Sequence, residues 1–342
     1  STLVNSSQFG LTSLFMTCSP TESSSYASGT PPRTVPSVVQ RKLTTPVLHP
    51  APCAAMLRGM ETHPFDAIVI GAGIAGAAAA AHLARDRRIA LVEAEDAAGY
   101  HSTGRSAAIW ILNYGPPDVR ALTGLSRAFF ESPPPGFAGT PILARRPVLF
   151  LAPSHQQARL GQMLAEGTGM REVSIRDAHA MLPPLRPGYA VRAAIEDDAF
   201  DMDVATLHQG FLRQVRGNGV LALRSRTGRI ERRGGHWHVH VAGGDVFTAP
   251  VVVNAAGAWG DEVAQQAGAA PLGLQPKRRT GVLLNPSPWQ SAVWPLVQDA
   301  SHTWYARPEG HSRLMVSPAD ETAMHPHDVA PDEMDVALAV DR

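Results

Sequence analysis

The pattern of apolar and polar residues is most regular over residues 65–93. An apolar run at Ala67–Ile70 leads into the glycine-rich string GAGIAG at 71–76, and an alanine-rich stretch with helical spacing follows. A second apolar run, Ile89–Val92, is closed by Glu93. This order predicts a strand, a tight turn, a helix and a second strand.

Periodicity predicts further elements along the chain. Helical spacing of apolar residues predicts helices at 119–130, 156–166 and 203–215, the last with Asp203 as N-cap. Ser174 and Asp177 resemble a capping box before a short helix. Alternating or short apolar runs predict strands at 220–223, 228–231, 237–241, 245–248, 251–253, 282–284, 303–307 and 313–316.

The two ends of the chain differ from the middle. Residues 1–60 are rich in Ser, Thr and Pro and contain one acid, Glu22, which predicts a disordered or non-native leader. An organellar transit peptide is the alternative for this segment. Residues 331–342 read as the opening of a helix that stops without a cap, so we expect the C-terminal part to be missing.

Composition excludes several classes of protein. The 342 residues carry 30 Lys and Arg against 30 Asp and Glu, so charge gives no support for nucleic-acid binding. No apolar run reaches the roughly 18 residues of a transmembrane segment. The two cysteines both precede the glycine motif, which fits a cytoplasmic protein, peripheral at the inner membrane at most, or an organellar one if the leader is a transit peptide.

Three histidines, His236, His238 and His240, alternate along one predicted strand. Alternation places them on one face. We predict an exposed strand face and no metal site, because no carboxylate neighbours them in the sequence.

The glycine motif has a physical role at each position. Gly71 permits the tight turn, Gly73 lets the backbone approach a pyrophosphate, and Gly76 lets the helix pack closely on the strand. The helix N-terminus attracts the phosphates, and Glu93 can accept hydrogen bonds from ribose hydroxyls. These features predict a dinucleotide site for FAD or NAD and disfavour NADP.

Two other segments are expected to return to this site. The apolar strand at 251–253 ends in the small residues Ala255, Ala256 and Gly257, which allow close approach beyond the carboxyl end of a strand. The loop at 99–108 contains Arg105, which can face a pyrophosphate. It also supplies hydroxyls from Ser102, Thr103 and Ser106.

Taken together, these segments resemble the FAD-dependent D-amino acid oxidase superfamily, and within it most resemble bacterial D-arginine dehydrogenases. The resemblance rests on GAGIAG (71–76), Glu93, YHSTGRSAA (100–108), RALTGLSRAFF (120–130), DVATLHQGFLR (203–213), VVNAAGAW (252–259) and PLGLQPKRR (271–279). It implies an α/β (α+β) fold. A Rossmann-like FAD-binding domain (65–135 and 200–270) is expected to be interwoven with an antiparallel-sheet substrate domain (136–199 and 271–342), the latter truncated.

The resemblance also favours FAD over NAD. By matching motif positions, it implies that FAD is contacted by Gly71, Gly73, Ile74, Ala75, Gly76, Glu93, Ser102, Thr103, Arg105, Ser106, Ala107, Thr227, Ala256 and Gly257.

The reaction implied by the resemblance is oxidation of the Cα–N bond of an amino acid. A hydride passes from Cα to flavin N5, and the imino acid hydrolyses to a 2-oxo acid. Arg279 and Tyr305 match residues that hold the substrate carboxylate, and Tyr114 matches an active-site tyrosine. The electron acceptor stays open.

Three residues depart from the arginine-specific enzymes. Those enzymes have an acid where this chain has Val148, and Ile109 and Ile111 stand in place of His and Thr. An unpaired guanidinium would be costly beside a valine, so we expect an uncharged substrate side chain. Another amine, an N-methyl amino acid or a truncated, non-catalytic fragment with weak FAD binding remain as alternatives.

Overall fold

The computed structural model describes residues 4–5 and 62–342, which form a mixed α/β fold. The helices are α1 (Ile74–Leu83), α2 (Pro117–Glu131), α3 (Gln157–Glu166), α4 (Ile175–Met181), α5 (Val204–Asn218), α6 (Gly260–Gln266) and α7 (Glu333–Asp341), with 3-10 turns at Ser154–Gln156 and Gly257–Trp259.

The strands belong to several sheets. In chain order they are β1 (Val4–Asn5), β2 (Thr62–Pro64), β3 (Ala67–Ile70), β4 (Ile89–Val92), β5 (Ile109–Trp110), β6 (Leu143–Arg145), β7 (Val148–Ala152), β8 (Met170–Val173), β9 (Arg192–Glu196), β10 (Phe200–Met202), β11 (Gly219–Ala222), β12 (Thr227–Arg233), β13 (His236–Val241), β14 (Val246–Ala249), β15 (Val251–Asn254), β16 (Lys277–Arg278), β17 (Val282–Leu284), β18 (Leu296–Asp299), β19 (Tyr305–Glu309), β20 (Arg313–Ser317) and β21 (Thr322–Ala323).

A five-stranded parallel sheet has the order β1-β15-β3-β4-β11. Its central strands β3 and β4 are buried at every position, as expected when both faces of a parallel sheet are covered. One face packs on α1 and α5, and the other packs on the β12–β13–β14 meander. The predicted strand–turn–helix–strand unit is confirmed.

A two-stranded ribbon joins this sheet to the four-stranded sheet β12-β13-β14-β2. Thr62 pairs with Val246 in the four-stranded sheet, and Ala67 pairs with Val251 in the parallel sheet, so the register is unchanged across the corner. Phe65 N donates to Thr248 O at 2.8 Å between the two ladders. The two strands therefore leave one sheet and enter the next together.

The largest sheet has seven strands in the order β17-β20-β19-β18-β7-β9-β8. Its strands pair antiparallel except for β7 and β18, which are parallel. The sheet that the resemblance predicted to be antiparallel is therefore mixed, with one parallel pair of strands. No hairpin links β7 to β18, so turn geometry does not impose the antiparallel direction on that pair.

Local capping signals are confirmed. Ser174 Oγ accepts from Asp177 N at 3.1 Å, and Asp203 Oδ1 accepts from Thr206 N at 2.8 Å. The strand predicted at 303–307 begins two residues later, because Thr303 N and Oγ1 donate to the Asp299 carboxylate and turn the chain there.

Most of the predicted leader, residues 1–60, lies outside the described residues; of it, Val4–Asn5 pairs with β15. The domain boundaries stay a prediction. Among the residues described, none of the helices has the length and apolar character needed to cross a membrane. His240 Nε2 does meet a carboxylate, Glu231 Oε1 on the neighbouring strand at 3.2 Å, a contact that the local sequence did not indicate.

Candidate active site

A cleft of about 260 Å³ opens at the carboxyl ends of β3, β4 and β15. The predicted cofactor residues that line it are Gly71, Gly73, Glu93, Ser102, Thr103, Thr227, Ala256 and Gly257. Those outside its lining are Ile74, Ala75, Gly76, Arg105, Ser106 and Ala107. The three sequence segments singled out above therefore do meet around one cleft.

Close packing at the base of the cleft requires two of its glycines. Gly71 has a φ of +99°, and a Cβ there would lie 2.4 Å from Ala255 O. A Cβ on Gly76 would lie 1.8 Å from Gly71 O. The turn thus leaves no room for a side chain between β3, the first turn of α1 and the end of β15.

The N-terminus of α1 faces the cleft. Gly73 is its N-cap and provides no side-chain cap. Ile74 N instead donates to Thr103 Oγ1 at 2.9 Å, which ties the loop at 99–103 to the helix. An N-terminus of this kind, with a side-chain-free residue at its tip, suits a phosphate group.

Glu93 is held in place by backbone groups. Its Oε2 accepts from Ala72 N at 2.8 Å, and its Oε1 accepts from Glu95 N at 2.9 Å. Each carboxylate oxygen has a further lone pair for another donor. The side chain is therefore fixed before any ribose hydroxyl reaches it.

The rim of the cleft contains a polar group that the sequence did not predict. Glu95 Oε1 lies 3.2 Å from both His101 Nε2 and Arg226 Nη2. The His101 ring lies 4.5 Å from the Trp259 ring, centroid to centroid. His101 and Trp259 lie within the conspicuous strings YHSTGRSAA and NAAGAW, but neither residue type by itself indicates a role.

Arg105 is not among the residues that line the cleft, and its side chain makes a separate contact. Its Nη2 donates to Asp328 Oδ1 at 2.7 Å, and Tyr100 Oη donates to Asp328 Oδ2 at 3.0 Å. Arg105 Nη1 is buried and has no hydrogen-bond partner among the described residues. Nearby, Ser106 Oγ accepts from Ala108 N at 3.0 Å, and Ala107 O accepts from Arg307 Nη1.

The predicted substrate residues Arg279, Tyr114 and Tyr305 share one electrostatic environment. Burial raises the pKa of Tyr305, and partial burial raises that of Tyr114, which is 41% exposed; the positive charge of Arg279 offsets part of each rise. Arg279 is only 16% exposed at its side chain, and its Nη2 donates to Glu321 Oε1 at 3.0 Å. Lys277 Nζ donates to the other Glu321 oxygen.

The predicted pocket residues Ile109, Ile111 and Val148 meet in one apolar cluster. Val148 is fully buried and Ile111 is 8% exposed. Neither lines the cleft described above. A buried acid, Glu196, is the cross-strand partner of Val148, and the local sequence gave no sign of it.

Comparison with known proteins agrees with this arrangement. Residues 66–342 match the family model described as DAO, FAD-dependent oxidoreductase. The chain is therefore a member of the DAO family of FAD-dependent oxidoreductases.

Similar folds occur in several solved structures. Glycine oxidase from Geobacillus kaustophilus aligns at a TM-score of 0.66 and 19% identity, over 82% of this chain and 77% of that one. Dithionite-reduced L-α-glycerophosphate oxidase from Mycoplasma pneumoniae with FAD bound aligns at 0.67 and 14%, over 82% and 78%. L-proline dehydrogenase from P. horikoshii aligns at 0.66 and 16%, over 82% and 76%. These likenesses establish the fold, and the finer resemblance to D-arginine dehydrogenases stays a prediction.

The cofactor is FAD, and the residues present fit it. The N-cap of α1 is a glycine, Gly73, with no side-chain cap, and a Cβ on Gly257 would meet no atom of the described residues within 4 Å. Within the described part of the chain, no group of three or more His, Cys, Asp or Glu residues is arranged to hold a metal ion.

Proposed function

We propose that this protein catalyses the FAD-dependent oxidative deamination of an amino acid, and that it favours D-amino acids with uncharged side chains. One observation carries the proposal: the guanidinium of Arg279 is largely buried, its charge offsets part of the burial-driven rise in the pKa of both Tyr114 and Tyr305, and it pairs with a carboxylate of the chain itself, Glu321. A buried arginine beside hydrogen-bonding phenols is suited to an anionic substrate group.

Arg279 would bind the substrate carboxylate, which would replace the Glu321 carboxylate as its partner. Tyr114 and Tyr305 would donate hydrogen bonds to the substrate, because a phenol is protonated at neutral pH and the shift of both pKa values is upward. When bound, FAD supplies hydride-accepting redox chemistry. The protein's share is to orient the substrate and to exclude water.

FAD itself would be held by the cleft. The α1 N-terminus at Gly73 and the hydroxyl-bearing loop with Ser102 and Thr103 would receive the pyrophosphate, and Glu93 would accept from the ribose. Thr227 lies at the start of β12, where the backbone can meet the adenine. Arg105 would reach the phosphates only after leaving Asp328.

The proposed preference for substrates with uncharged side chains rests on the apolar residues Ile109, Ile111 and Val148. None of the three side chains can pair with a guanidinium, and the nearby Glu196, the cross-strand partner of Val148, already accepts from Leu112 N and Asn113 N. Leaving a substrate guanidinium unpaired there would cost several kcal/mol, on the order of the penalty for any buried unpaired charge.

The test is a panel of D- and L-amino acids given to the purified protein with FAD. Anaerobic bleaching of the flavin absorbance measures reduction, and an artificial electron acceptor measures turnover. We expect bleaching by D-leucine or D-phenylalanine, and its loss in Arg279→Ala but not in Arg229→Ala, an exposed arginine of β12. Faster turnover of D-arginine than of D-leucine would refute the uncharged specificity. Bleaching by N-methyl amino acids or other amines alone, or by none of the compounds, would refute the proposed function.

A further inference from the structure

Glu196 is a buried acid that the proposed reaction does not use. It ends β9 and is 1% exposed. Its Oε1 accepts from Leu112 N at 3.1 Å and from Asn113 N at 3.3 Å. Its Oε2 is buried and has no hydrogen-bond partner among the residues described.

The segment that Glu196 holds is also clamped from a second side. Asn113 Nδ2 donates to Thr168 O at 2.9 Å, and Asn113 Oδ1 accepts from Thr168 N at 2.8 Å. Thr168 precedes β8, and Glu196 belongs to β9, so both anchors lie at one end of the seven-stranded sheet. The chain at 112–113 is thereby fixed to that sheet by four hydrogen bonds.

Tyr114 is the next residue along the chain, and Gly115 then turns away with a φ of +84°. The same sheet carries Tyr305 on β19. Tyr114, however, lies on a connecting segment outside the sheet, so its position relative to Tyr305 depends on whatever holds that segment. The Glu196 carboxyl is one of the groups that hold it, together with Thr168 and with Arg120, whose Nε donates to Gly115 O at 2.8 Å.

We propose that Glu196 is a positioning residue, which fixes the backbone at Leu112 and Asn113 and so holds Tyr114 in the substrate site beside Arg279 and Tyr305. The role of Tyr114 in this inference rests on the proposed function. The fixing of the backbone does not.

Two variants show whether Glu196 acts as a hydrogen-bond acceptor or as an ionisable acid. Glu196→Gln keeps an Oε1 acceptor for both backbone N–H groups, whereas Glu196→Ala removes it. In Glu196→Ala we expect amide hydrogen exchange at 112–113 to speed up at least tenfold, with kcat/KM for the amino acid falling about 10- to 100-fold. Glu196→Gln should stay within about threefold of the parent in both measurements.

A double-mutant cycle tests whether Glu196 acts through the tyrosine. Tyr114→Phe should cost much less in the Glu196→Ala background than in the parent, because a displaced phenol contributes little. Additive effects would overturn the positioning role. Glu172→Ala is the matched control, since it removes an exposed acid of the same sheet that pairs with Arg192, and it should change neither measurement.

Hydrogen exchange also keeps the two proposals apart. Faster exchange at 112–113 with no amino acid oxidised by any variant would leave Glu196 as the backbone anchor and remove the proposed function. Unchanged exchange in Glu196→Ala would overturn the inference whatever the activity. If Glu196→Ala does not fold, Asn113→Ala removes the Thr168 clamp instead, and unchanged exchange and KM in that variant would count equally against positioning of Tyr114.

Discussion

Replacing Gly76 by alanine tests how tightly α1 packs against the glycine turn. The added Cβ would lie 1.8 Å from Gly71 O, and real Cβ contacts stay at 3.0 Å or more, so the helix and the turn must separate. The turn has no room to move, because Gly71 packs closely against Ala255 and has a positive φ. The helix must therefore move.

The magnitude follows from two opposing effects. Alanine is intrinsically better than glycine in a helix by up to about 1 kcal/mol. Overpacking of a close contact costs about 1–3 kcal/mol, and occasionally more. Since the overlap at Gly76 is with a backbone oxygen and not with a flexible side chain, we expect the upper part of that range and a net loss of about 2 kcal/mol in the free energy of unfolding. FAD affinity should fall at least about tenfold, because the α1 N-terminus shifts relative to Gly73 and Thr103.

Urea unfolding and titration of FAD by fluorescence quenching measure the two effects. The matched control is Gly217→Ala in α5, where a Cβ would meet no atom of the described residues within 4 Å. That variant should be neutral or slightly stabilised and should bind FAD normally. If Gly76→Ala proved as stable as Gly217→Ala and bound FAD equally well, the close packing of turn and helix would be refuted.

Three further predictions address separate contacts. Thr103→Val removes the hydroxyl that accepts from Ile74 N and should lower the free energy of unfolding in urea by about 1 kcal/mol. Thr103→Ser keeps the hydroxyl and should change the free energy of unfolding little. Equal decreases in the two variants would contradict a helix-capping role for Thr103. Arg279→Lys should raise the KM of an amino acid substrate about 10- to 100-fold, because a lysine cannot form the bidentate contact with the substrate carboxylate. Glu321→Gln should lower KM, because it removes the carboxylate that competes for Arg279. An unchanged KM in both variants would contradict carboxylate binding at Arg279. Burial raises the pKa of Glu196 above its ordinary 4.5, so above pH 4.5 the folded protein keeps a proton that the unfolded chain releases, and stability is lost as pH rises through the raised pKa. The stability of Glu196→Gln relative to the parent should therefore increase as pH rises above 4.5, and a difference that stays constant with pH would contradict this.

Short-range signals made the cofactor half of the molecule predictable. Gly71, Gly76 and Glu93 act within one strand–turn–helix–strand unit, and each role depends on backbone geometry set by near neighbours. The N-caps Ser174 and Asp203 are likewise local, with partners three residues away. Patterns of this length are visible in a single sequence.

The seven-stranded sheet was harder to predict. Val148–Ala152 is buried at every position, because its two faces enter two different apolar clusters, and a strand of that kind has no alternation to detect. The contacts that complete the site are also distant in the chain. Arg105 meets Asp328 across 223 residues, and Glu196 meets Leu112 across 84, so neither partnership leaves a local signal.

The ribbon that crosses from the four-stranded to the parallel sheet has a mechanical consequence. One of its strands ends at Ile70 and the other at Asn254, directly before the turns that form the floor of the cleft. The two strands stay neighbours from Thr62 to Ile70, with ladders at 62–64 and 67–70 and the hydrogen bond from Phe65 N to Thr248 O between them, so the floor is joined directly to the meander behind it. The loop at 99–103 forms another wall of the cleft and is tied to the start of α1 by the hydrogen bond from Ile74 N to Thr103 Oγ1, so we expect this loop to move when the cleft widens to admit a dinucleotide.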